Sequence, residues 1–307
     1  MGTPEFAVPS LTVLIERKEN LVGVVTQPDR PVGRGQNLKA SPVKQCAAAH
    51  GVPIFQPQKV KRPDFVEQLR QLAPDVAVVV AYGQIFSREL LDIPPRGFIN
   101  VHSSLLPAYR GAAPINWALI NGEKRTGVTI MRLDEGMDTG AIIIQEETPV
   151  RADDNAQRLH DRLAELGAGL LAKTLDMLQT GSWDPAPQDH SRATYAPLLK
   201  KQDGLIAWTK TAAAIVNQIR GMTPWPGCFT YLGKRLLKIH LAVVLEKEVH
   251  VPPGTILTAA ESGIEVAAAG GSVLVKELQL EGKKRMAAAD FLKGTRLAPG
   301  AHLGETD

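Results

Sequence analysis

The sequence predicts an α/β protein in two parts, a parallel sheet covered by helices and, across a linker, a small antiparallel β-barrel. Three observations point there. Over residues 1–181, short β-branched runs alternate with amphipathic stretches; residues 182–200 lose periodicity and gather Pro, Ser and Asp; residues 201–307 offer short strand-like runs separated by Gly-containing turns. A length of 307 residues accommodates two domains.

In chain order, LVGVVTQ (21–27), DVAVVVAYG (75–83), GFINVHSS (97–104) and GVTIMRLD (127–134) read as strands buried on both faces, being apolar throughout. Between them, SPVKQCAAAHG (41–51) and PDFVEQLRQLAPD (64–75) read as helices bounded by Ser, Pro and Gly signals. Strand–helix–strand alternation gives a Rossmann-like parallel sheet. Residues 156–181 repeat apolar positions at three- and four-residue steps, a long helix closed by Gly181. SWDPAPQDHSRATYAP (182–197) reads as linker. A short helix near Thr211–Arg220 then precedes GCFTYLG, RLLKIHLAVVL and GTILTAAESGIEVAAAGGSVLVKELQL, the strands of the barrel.

Composition excludes several classes. The chain is 44% hydrophobic and 22% charged, within the globular range. Its longest apolar run, around Val76–Tyr82, is far short of the roughly 20 residues that span a bilayer. MGTPEFAVPS carries no basic segment followed by an apolar one, so no secretory leader is expected. The two cysteines, Cys46 and Cys228, stand far apart and outside any Cys/His cluster, which fits a reducing cytoplasm and no cysteine-rich zinc site. Residues 201–307 hold 13 Lys and Arg against 10 Asp and Glu, and so carry the whole net charge of +3. A surplus of this size permits a nucleic-acid partner without requiring one.

The densest chemistry lies in INVHSSLLPAYRGAAPINW (99–117). Asn100 and His102 are two apart at the end of a buried strand, so their side chains share a face. In an open α/β sheet, ligands bind beyond the carboxyl ends of the strands. Two polar side chains on an otherwise apolar strand are costly unless a ligand or the neighbouring loop uses them. Both uses remain open at this point. LDEGMDTGAIIIQ (133–145) places Asp134, Glu135 and Asp138 on a Gly-flanked loop after the next strand. A carboxylate near His102 would serve proton transfer; turn formation alone also accounts for Asp and Gly there. A metal between His102 and these acids is disfavoured, because no second His or Cys is close in sequence. The third segment, QPDRPVGRGQNLKASPVK (27–44), holds Arg30, Arg34, Lys39 and Lys44 against the single acid Asp29. It exceeds an ordinary βα connection, and a basic loop at the ligand end of a sheet invites a phosphate-bearing partner. Its glycines have neither Rossmann nor P-loop spacing, and a merely solvated loop is the lesser alternative.

Together GTPEFAVPSL (2–11), TQPDRPVGRGQNLKASPVK (26–44), VVVAYGQI (78–85), INVHSSLLPAYRGAAPI (99–115), GVTIMRLDEGMDTGAII (127–143) and MTPWPG (222–227) resemble the methionyl-tRNA formyltransferase family over most of the chain. The Asn-x-His…Asp pattern by itself is common to folate-dependent formyltransferases acting on amines. The basic loop and the C-terminal domain narrow it to the tRNA-directed branch. The resemblance implies catalytic residues Asn100, His102 and Asp138, 10-formyltetrahydrofolate as formyl donor, no metal, and Ser104, Leu105, Leu106 and Pro107 against the folate. It also implies that Arg34 and Lys39 approach the acceptor end of initiator methionyl-tRNA. The second domain would be an OB-like barrel adding backbone contacts, and the protein a cytoplasmic monomer without membrane association.

Two departures accompany the resemblance. Members of this family carry an apolar first strand ahead of the position of Met1-Gly2-Thr3-Pro4, so a sheet short of that strand is expected. Ser103 stands where the family has Gly, a residue that often serves a special backbone angle or a close ligand approach. Two other functions stay open on this sequence: formyl transfer to a small amine, which needs neither the 28–44 segment nor the barrel, and tRNA binding without catalysis.

Overall fold

A computed structural model describes residues 1–32 and 37–304. The chain divides into two compact units, one of residues 1–114, 125–149 and 160–196, the other of 115–124, 150–159 and 197–307.

In the first unit, strands β1 (Val24–Val25) and β4 (Ile54–Phe55) pair in parallel, as do β5 (Ala77–Val79) and β6 (Phe98–His102). β2 (Arg30–Val32) and β3 (Asn37–Lys39) form a separate antiparallel hairpin. β7 (Arg125–Arg132) and β8 (Ile142–Pro149) continue the β5–β6 sheet, but both run antiparallel to their neighbours. The strand expected in 127–134 exists, then, with its direction reversed. A strand buried on both faces carries the same apolar signature in either direction, so sequence alone could not settle this.

Its helices are α1 (Val8–Glu16), α2 (Pro42–Ala49), α3 (Pro63–Leu72) and α4 (Arg88–Leu91); α5 (Pro114–Ile120) belongs to the second unit from residue 115, and α6 (Ala156–Thr180) to the first from residue 160. α2 begins as its sequence dictates: Pro42 sits in the first turn, and the Ser41 hydroxyl accepts from the Lys44 N–H at 3.1 Å. α3 also opens on proline, and buries Phe65, Val66 and Leu69 on one face. The core beneath the parallel strands is built from Val25, Val79, Leu90 and Phe98 with Phe65 and Leu69 of α3.

Met1 and Gly2 occupy the place of a strand between β1 and β5. The Met1 nitrogen donates to Val78 O at 2.6 Å and the Val80 N–H to Met1 O at 2.9 Å, while the Gly2 N–H donates to Val25 O at 2.9 Å. Two residues therefore join the two pieces of sheet, where the sequence led us to expect the first strand to be wanting. Beside them lies a cavity of about 490 Å³, lined by Leu11, Val22, Val24, Leu69, Val78 and Leu175 among others.

The segment expected to be a linker is ordered against the first unit up to residue 196. Ala186 bridges Ile142, and Arg110 N–H donates to Thr194 O at 2.8 Å while Ala196 N–H returns to Arg110 O at 2.7 Å. These contacts are made by main chain, which the Pro- and Ser-rich composition does not reveal.

In the second unit, α7 (Ala212–Met222) is capped by the Thr211 hydroxyl on the Ala214 N–H at 3.2 Å. Strands β9 (Cys228–Leu232), β10 (Arg235–Leu245), β11 (Ile256–Ala260), β12 (Gly263–Ala268) and β13 (Gly271–Leu280) form an antiparallel sheet in the order β11-β12-β13-β10-β9. β14 (Met286–Ala287) is added to β13, and helix α8 (Ala288–Gly294) follows. Among the described residues β11 and β9 do not pair with each other, so the closed barrel expected from sequence is not found. Residues 301–304 run along both edges, with Leu303 N–H on Gly254 O at 2.8 Å and Gly304 N–H on Tyr231 O at 3.1 Å. No helix among the described residues is long and apolar enough to cross a membrane.

Candidate active site

β6 has neighbours on both sides: Asn100 faces Val79 of β5 and Met131 of β7, and His102 faces Thr129 of β7. A strand held on both edges fixes its side chains rigidly, as a site needs. Asn100 is 9% exposed and His102 6%.

The two polar side chains differ in how they are satisfied. His102 Nε2 lies 3.0 Å from Tyr109 O. A carbonyl can only accept, so Nε2 carries the hydrogen and the neutral ring keeps its lone pair on Nδ1. Nδ1 in turn lies 3.7 Å from Asp138 Oδ1, close enough for an ion pair though too long for a hydrogen bond. The carboxylate expected to fix the histidine tautomer thus faces the other nitrogen, and the loop carbonyl does the fixing. Asn100, by contrast, makes no side-chain hydrogen bond among the described residues. Its amide is left open toward a ligand.

Asp138 sits on the loop between β7 and β8 with φ +54°, a left-handed conformation that few non-glycine residues adopt. Its Oδ2 accepts the Gly111 N–H at 2.8 Å. The same loop is braced by Asp134 Oδ1, which accepts from the Gly136 N–H at 3.0 Å and the Thr139 hydroxyl at 2.7 Å. Of the three clustered acids, Asp134 serves the turn and Asp138 reaches the histidine. Gly140 is obligatory: a Cβ there would come within 1.7 Å of Arg132 O. No group of three or more His, Cys, Asp or Glu suited to a metal ion lies among the described residues.

The turn Ser104–Pro107 is locked from within. The Ser104 hydroxyl donates to Ala108 O at 2.6 Å and is fully buried. Leu106 is buried, its N–H on the Thr129 hydroxyl at 3.0 Å and its carbonyl accepting from Gln145 Nε2 at 2.8 Å. Leu105 and Pro107 remain half-buried, so these two have surface to offer a ligand. Ser103 has no positive φ, and the backbone there does not demand glycine. Thr129, Gln145 and Gln188 are supports that sequence reading did not single out. They act on backbone groups distant in sequence and leave no local pattern.

The basic segment sorts its cations. Lys44 turns to Asp29, Nζ to Oδ2 2.6 Å, and with Gln56 holds that carboxyl below its ordinary range. Arg30 and Lys39 stand directly opposite each other on β2 and β3, both exposed. Like charges paired across strands repel, an arrangement that an anionic partner relieves. Arg34 lies outside the described residues.

Comparisons with known proteins agree with this layout. Residues 1–175 match the "Formyl transferase" family model and residues 198–296 the "Formyl transferase, C-terminal domain" model. The chain is 55% identical over 307 residues to the methionyl-tRNA formyltransferase of Citrifermentans bemidjiense, covering 100% of this chain and 96% of that one. It is 52% identical over 305 residues to that of Geobacter sulfurreducens, covering 99% and 96%. Among solved structures, the sugar 3N-formyl transferase WlaRD, determined with dTDP and 5-N-formyl-THF, superposes with TM-score 0.69 at 20% identity over 92% of this chain and 97% of its own. The N-formyltransferase of Helicobacter canadensis, in complex with folinic acid and dTDP-3-aminofucose, gives TM-score 0.68 at 20% identity over 89% and 96%. At such identities these structures speak for the fold alone, whereas both family models and the full-length relatives place the chain in the formyl transferase family.

Proposed function

We propose that the chain transfers the formyl group of 10-formyltetrahydrofolate to the α-amine of methionyl-initiator tRNA, with Asn100, His102 and Asp138 carrying the reaction. The observation that bears most weight is the open amide of Asn100 one strand pitch from the His102–Asp138 pair. Attack of the amine on the formyl carbon forms a C–N bond and places negative charge on the formyl oxygen. The Asn100 N–H₂ is the donor placed to receive that charge. The bond to the folate nitrogen N10 then breaks. The proton that the amine loses passes to His102 Nδ1, where Asp138 stabilises the imidazolium, and from there to N10. Free α-amines titrate near ~7.7–8, so a neutral nucleophile is available at physiological pH.

Leu105 and Pro107 offer the half-buried apolar edge against which the folate would rest, with Ser104 and Leu106 holding the turn. Arg30, Lys39 and, beyond the described residues, Arg34 would meet the acceptor-stem phosphates. The second unit, an OB-like sheet whose open edges the 301–304 segment approaches, would add backbone contacts, the protein working as a cytoplasmic monomer. The acceptor is supported by the names of the full-length relatives, at 52% and 55% identity.

The test is formylation of charged initiator tRNA by the purified chain, with salt varied and circular dichroism recorded on the same sample. Turnover that falls steeply with salt is expected, since phosphate contacts release counterions. Turnover on amino sugars but not on charged tRNA would shift the acceptor to a small amine. A folded chain that binds tRNA without turnover would remove the catalytic reading.

A further inference from the structure

We propose that Gln188 is the positioning residue of the Asp138 loop, a crossbar that ties this loop to the buried guanidinium of Arg110; the proposal rests on Asp138 acting in formyl transfer. Gln188 is 5% exposed. Its Nε2 donates to Asp138 O at 2.9 Å and Gly140 O at 2.7 Å, and its Oε1 accepts from Arg110 Nε at 3.2 Å and Nη2 at 2.6 Å. Two carbonyls on one side and a guanidinium on the other allow the amide only this orientation.

Arg110 itself is 2% exposed. Its side-chain hydrogen bonds go to Gln188 and to His190 Nδ1 at 3.1 Å, and no carboxylate lies within ion-pair distance among the described residues. A buried cation held only by neutral acceptors is costly and is retained where it does something the fold does not require. Here it pins the amide whose other end pins the loop. The neighbouring Gly111 N–H holds the Asp138 carboxylate directly. The Arg110–Gly111 dipeptide therefore fixes Asp138 twice, at its carboxylate and, through Gln188, at its carbonyl. That double hold answers a specific need, because the left-handed conformation of Asp138 persists only where its surroundings impose it. Released, the residue relaxes to negative φ and its carboxylate swings from its place 3.7 Å from His102 Nδ1.

Gln188→Glu is the informative substitution. It keeps the acceptor for Arg110 and adds an ion pair, yet sets an oxygen against the two loop carbonyls. The expected result is kcat lowered about 10- to 100-fold, as for a displacement of about 1 Å in a catalytic group. KM for both substrates should stay within about twofold, with the melting temperature unchanged or raised. In an Asp138→Asn background the same change should add almost nothing, since the two act as one unit. Gln188→Glu at wild-type kcat, or a loss confined to KM, overturns the proposal while leaving the site reading intact. An active Asp138→Asn enzyme overturns the site reading instead. If Gln188→Glu does not fold, Gln188→Met, of similar length and without a donor, carries the same expectation for kcat and KM, with the melting temperature lowered because Arg110 loses its acceptor.

Discussion

The first unit contains two stretches of sheet built to different standards. The β5–β8 stretch is a continuous ladder of four strands, with β6 paired over most of its length on both edges. The β1–β4 stretch is only two residues wide at each strand and joins the other through Met1 and Gly2, beside a cavity of about 490 Å³. Asn100, His102 and the Asp138 loop all stand on the continuous ladder. The proposed site and the less extensively paired stretch are thereby separated, and substitutions in the two should be told apart by what they change.

The largest effect belongs to the ladder. His102→Ala and Asp138→Asn should each lower kcat by roughly three decades or more, as loss of a group that handles the reaction's proton and charge does. Melting should stay within about 1 °C of wild type for Asp138→Asn, because Asn tolerates the left-handed backbone as well as Asp. Steady-state formylation and a thermal scan check both. Ordinary turnover in either variant would unseat the pair.

On the other stretch, Gly2→Val should do the reverse. A Cβ there meets Ala7 Cβ at 2.7 Å and Val80 O at 2.9 Å, so the join must open. A loss of about 1–3 kcal/mol in denaturant unfolding is expected, with kcat per folded molecule unaltered. A fall in kcat would mean that the weak stretch does reach the site.

How far this division could be read from sequence depends on the interaction. That Asn100 and His102 share a face was legible because period-two spacing at a strand end is a local pattern; the loop position brought Asp134, Glu135 and Asp138 forward alike, and only the family resemblance singled out Asp138. The reversed direction of β7 was not legible, since burial on both faces looks alike in parallel and antiparallel strands. The role of 182–196 was hidden because Ala186 and Ala196 act through their main chain, as Thr194 does in part. Gln188 was hidden because an amide bonding to carbonyls some 50 residues away has no periodicity to betray it. The opening of the second unit's sheet was illegible for a similar reason: regularly spaced strands state how many there are, not whether the edges meet.

A smaller effect is expected on the β2–β3 hairpin. Lys39→Ala should reduce the slope of log affinity for charged tRNA against log salt by about one, the share of a single phosphate contact, and leave folate KM unchanged. Salt titration of tRNA binding reads this directly; an unchanged slope would remove Lys39 from the interface.

The smallest effect returns to the core beneath the parallel strands. Tyr82 is 2% exposed, its hydroxyl has no hydrogen-bond partner among the described residues, and burial pushes that hydroxyl up to about 12. Tyr82→Phe removes an unsatisfied group, so stability should rise by up to about 1 kcal/mol in urea unfolding, with turnover untouched. A destabilised variant would show that the hydroxyl has a partner when the protein works.

The most direct test concerns Asn100, whose side chain makes no hydrogen bond among the described residues. Single-turnover formyl transfer to methionyl-initiator tRNA should slow by about 10²- to 10³-fold in Asn100→Ala, as on losing one oxyanion donor. The melting temperature should not fall, because no side-chain hydrogen bond among the described residues is lost. A rate near wild type, or a rate loss that merely tracks a drop in stability, would contradict the assignment of this amide to the developing oxyanion.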